Sequence, residues 1–120
     1  MGLDSIWVMP GEDREHDRTD ELPYFDPELH LITGILFDTP RAFRGKTYNE
    51  IIERITGISL YQEEIHNEKV NQMAVALEEH VLTPEDKEYL YLDDKEQEYT
   101  DLKRMFRAFA DAGALLHGWW

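Results

Sequence analysis

Cysteine is absent from this chain. No disulfide framework and no thiolate metal site can form, so packing alone must hold the structure, as is usual in a reducing compartment. Hydroxyl nucleophiles are also scarce. Only two serines occur, Ser5 and Ser59, and neither sits in the Gly-x-Ser-x-Gly setting that exposes a nucleophile at a strand-to-helix turn. No apolar run approaches the ~20 residues needed to cross a bilayer as a helix. The first residues lack the basic-then-apolar layout of a secretory leader, and Ile6 occupies the position where a myristoylation motif needs Ser or Thr. The five prolines and seven glycines form no linker or low-complexity tract. These absences lead us to expect a cytoplasmic protein of one domain spanning residues 1–120.

Negative charge is what the chain has in excess. Asp and Glu number 26 against 12 Lys and Arg, for a formal net charge of -14. The excess is uneven. Residues 1–30 sum to -7 and 61–100 to -9, whereas 31–60 and 101–120 each sum to +1. Direct binding to nucleic acid or to an anionic membrane is disfavoured, because such partners are held chiefly by phosphate neutralisation. A protein partner with a basic surface is the complementary expectation. A hydrophobic content of 42%, with 12% aromatic, is enough for one core and is not the composition of a disordered chain.

Periodicity and capping signals outline the elements. Residues 3–9 cluster Ile6, Trp7 and Val8 and end at Pro10-Gly11, which predicts a strand. The charged stretch 11–22 reads as an exposed acidic loop. Asp26-Pro27-Glu28 resembles a helix start, but the run 29–37 suits helix or strand equally, with Gly34 against the helix. Thr47 with Glu50 makes a capping box, followed by Tyr48, Ile51, Ile52 and Ile55 on one helical face and a stop at Gly57. Ser59 with Gln62 makes a second box, predicting a helix to about Leu82 with Val70, Met73, Ala74, Leu77 and Val81 as its apolar stripe. Thr83-Pro84-Glu85-Asp86 opens a short element through 89–92, whose Tyr-Leu-Tyr-Leu run could equally be extended. Asp94 with Gln97 caps a last helix that turns Tyr99, Leu102, Phe106 and Phe109 inward and stops at Gly113. The apolar tail 114–120 is expected to fold back onto the N-terminal strand, because two wet indoles would leave an adhesive tip.

Two patterns could carry chemistry. In Arg41-Ala42-Phe43-Arg44-Gly45-Lys46-Thr47, three cations precede a helix N-terminus, an arrangement suited to phosphate or carboxylate. The spacing is not that of a P-loop, and the same cations can instead pair with the chain's own carboxylates. Glu63 and His66 form one Glu-x-x-His step, but a di-metal carboxylate site needs a second step and further Glu residues, so no metal or other cofactor is expected. Trp7, Trp119 and Trp120 are interface candidates, for a partner or for a homo-oligomer seam, since tryptophan is enriched at binding hot spots.

The sequence thus predicts an α+β, mainly α, domain of three to four helices with a small β element from the N-terminal strand and the C-terminal tail. The expected role is a small acidic non-enzymatic interaction domain that docks on a basic protein surface. The alternative is a small-anion binding or catalytic domain built on Arg41, Arg44, Gly45, Lys46 and Thr47.

Overall fold

A computed structural model describes residues 2–9 and 42–120. The expected acidic loop 11–22, the ambiguous run 29–37 and Arg41 lie outside these residues. The described elements, in order, are β1 (Asp4–Val8), β2 (Ala42–Phe43), α1 (Gly45–Thr56), β3 (Glu64–Ile65), α2 (Asn67–Glu79), a 3-10 turn (Asp86–Tyr89), α3 (Lys95–Asp111) and β4 (Leu115–Trp119). The architecture is α+β and mainly α, with three α-helices against a four-stranded antiparallel sheet of order β2-β1-β4-β3.

The tail does fold back. β4 pairs antiparallel with β1, setting Trp7 opposite Leu116, Ile6 opposite His117 and Asp4 opposite Trp119. Alternation along a strand then assigns the faces. Leu3, Trp7, Phe43, Ile65 and Leu116 share one buried cluster with the helices. Trp7 stacks on Phe109 at 4.6 Å between ring centroids and meets Phe106 edge-on at 5.1 Å. Helix α1 contributes Tyr48, Ile51 and Ile52, α2 contributes Val70, Met73, Ala74 and Leu77, and α3 contributes Leu102, Met105, Phe106 and Phe109. Ile6, Ala42 and His117 occupy the opposite sheet face and are buried as well.

Three helix boundaries differ from those read in the sequence. Helix α1 begins at Gly45 rather than after Thr47, and its cap residue Arg44 makes no side-chain capping bond. Tertiary contact sets this start: the Lys46 amide donates to the Leu3 carbonyl at 2.9 Å, and a Cβ on Gly45 would lie 2.3 Å from Ser5 Oγ. Only glycine lets α1 approach β1 this closely.

Ser59 and Gln62 do not open a helix. Ser59 Oγ accepts from the Tyr61 amide, and Gln62 Nε2 donates back to the Ser59 carbonyl, closing a turn instead. Residues 64–65 are taken up by pairing with β4, which the local caps could not anticipate, and α2 starts only at Asn67. The far end moves too. α2 stops at Glu79, so Val81 leaves the apolar stripe and is 81% exposed. The expected start at Thr83 is present as a reciprocal pair: the Thr83 amide donates to Asp86 Oδ2 and the Asp86 amide to Thr83 Oγ1. Asp94 caps α3 by accepting from the Gln97 amide, as its spacing predicted.

Candidate functional site

The cationic segment before α1 is drawn into internal contacts. Arg44 Nη1 donates to Asp4 Oδ1 at 2.6 Å, and Asp4 is buried in β1. The Arg44 guanidinium lies over Gly2, where a side chain would collide with it. Gly45 is packed against Ser5, Lys46 is exposed, and the Thr47 amide returns to the Arg44 carbonyl. The Lys46 and Thr47 amides of the helix N-terminus and the nearest cation therefore have partners within the chain.

Glu63 and His66 are not neighbours on a helix face. Glu63 precedes β3, and its carbonyl accepts from the Gly118 amide at 3.1 Å and lies 2.6 Å from His117 Nδ1. His66 stands at the start of α2 with its side chain 76% exposed, 4.0 Å from the Glu64 carboxylate. Among the described residues, no three His, Asp or Glu side chains converge as a metal site.

The three tryptophans separate. Trp7 is fully buried, so the interface role expected of it is corrected to a core role. Trp119 and Trp120 remain 47% and 51% exposed. They do not form one patch. Trp119 meets His117 edge-on at 6.1 Å, whereas Trp120 turns the other way, over Gly118, and meets Tyr61 at 5.8 Å with the rings inclined by 70°. Tyr61 is the residue that sequence reasoning missed. Its position falls in the first turn of the helix expected from Ser59, whereas α2 begins only at Asn67, and nothing in its own neighbourhood points to residue 120.

Two of the buried carboxylates, Asp86 and Glu98, each gather donors from several segments. Asp86, 1% exposed, accepts from Arg54 Nε at 2.9 Å and lies 2.6 Å from His80 Nε2. Burial pushes its pKa up, but the bonds from His80, the Thr83 amide and Arg54 outweigh burial and hold it well below the usual carboxylate range. The Arg54 guanidinium is correspondingly raised, chiefly by its bond to Asp86. Among the described residues neither serine reaches this Asp–His pair: Ser5 lies beneath Gly45, and Ser59 belongs to the turn before Tyr61. The geometry of the pair ties the end of α1 to the end of α2 and to the 3-10 turn.

Glu98, wholly buried, accepts from Tyr48 Oη at 2.6 Å and from the Tyr91 and Leu92 amides. Nearby, Tyr99 donates to the Leu77 carbonyl at 2.6 Å, and burial pushes its phenol up to about 12. Both networks use their polar atoms to join elements. No helix among the described residues is long and apolar enough to cross a membrane. Comparison with protein-family models, with curated proteins and with solved structures finds no match.

Proposed function

We propose that this chain is a non-enzymatic interaction domain, an adaptor, inhibitor or accessory factor of the cytoplasm, that docks on a basic protein surface. The observation that carries this reading is the state of its exposed carboxylates. Glu50, Glu53, Glu68, Glu79, Glu88 and Asp93 are exposed and make no ion pair among the described residues. The cations that could have neutralised them are largely engaged elsewhere. Arg44 is held by Asp4, Arg54 by Asp86 and Glu85, Arg104 by Asp101, and Arg107 by Glu78 and Asp111. Lys95 Nζ donates to the Lys87 and Leu90 carbonyls. Such a surface attracts cationic partners, and long-range attraction chiefly raises their association rate. Anion binding by Arg41, Arg44, Gly45, Lys46 and Thr47 has less support, because Arg44 already satisfies a buried aspartate.

Calorimetric titration with basic and neutral peptides of equal length, over a range of salt, tests the reading. Binding of the basic peptides alone, persisting at about 0.15 M salt where the screening length is about 8 Å, is the expected result. Failure of every basic peptide to bind, even at low ionic strength, would overturn it.

A further inference from the structure

We draw no further inference here: the strongest candidate, the groove between α1 and the 3-10 turn lined by Glu50, Glu53, Arg54 and Tyr89, is an exposed pair of acids beside an arginine already held by Asp86, and nothing in the structure shows what covers it.

Discussion

The interior under the sheet and the rim of the molecule are built from the same two unusual ingredients, tryptophan and carboxylate, with opposite consequences. Inside, Trp7 is wedged between Phe106 and Phe109, and Glu98 and Asp86 have their oxygens matched to donors from several elements. At the rim, Trp120 touches only part of its surface to Tyr61 and Gly118, and Glu50, Glu53, Glu68 and Glu79 face water with no cation paired to them among the described residues. Composition treats these residues as equivalent. The difference lies in what else must be satisfied once water leaves: a buried carboxylate without donors costs several kcal/mol, so the interior ones specify geometry. The rim ones, in water, specify no such geometry.

The contrast is largest for the tryptophans. Trp7→Ala should destabilise the fold by about 3–5 kcal/mol, the range for emptying a well-packed aromatic site. Trp120→Ala should cost less than about 1 kcal/mol, in keeping with its half-exposed position. Urea denaturation followed by far-ultraviolet circular dichroism measures both, and equal losses would break the comparison. The carboxylates give a smaller version of the same test. Tyr48→Phe removes the hydroxyl that serves Glu98 and should cost about 1–3 kcal/mol, the penalty for leaving a buried acceptor without its donor. Glu68→Gln, on the exposed side of α2, should stay within about 0.5 kcal/mol of the unaltered chain.

Legibility in the sequence followed the range of the forces involved. Helix α3 was readable because its cap, Asp94, and its apolar stripe from Tyr99 to Phe109 are local signals that agree. The pairing of tail and N-terminal strand was readable from a weaker argument, that two terminal indoles need cover; the strands do pair, yet Trp119 and Trp120 both stay half-exposed. The segment 59–66 was misread because its caps are real hydrogen-bonding residues used for a different purpose. Ser59 and Gln62 close a turn so that Glu64 and Ile65 can reach β4, and that demand comes from residues more than fifty positions away. The Tyr61–Trp120 corner was invisible for the same reason. The core role of Trp7 was misjudged because tryptophan is a hot-spot residue and a core residue alike, and only burial separates the two. The partners of Asp86, by contrast, combine the legible Thr83 start with Arg54 and His80, whose approach depends on how α1 and α2 pack.

Acid should separate interior from rim by a different route. Asp86 has its pKa lowered in the fold, so its carboxylate adds stability that is fully present above the unfolded carboxyl value near 4. That contribution is lost progressively as the pH falls from there toward the lower native value, where the native state too must be protonated. Glu78 is lowered as well, chiefly by its bond to Arg107, but this pair stands in solvent and is screened. Asp86→Asn should therefore lower the melting temperature most at pH 7, and the gap to the unaltered chain should narrow toward pH 3. Glu78→Gln should open a much smaller gap, and one that shrinks when salt is raised to about 1 M, where the screening length is about 3 Å. A pH-independent gap for Asp86→Asn would mean that the aspartate contributes shape rather than charge, and the distinction between interior and rim carboxylates would lose its electrostatic basis.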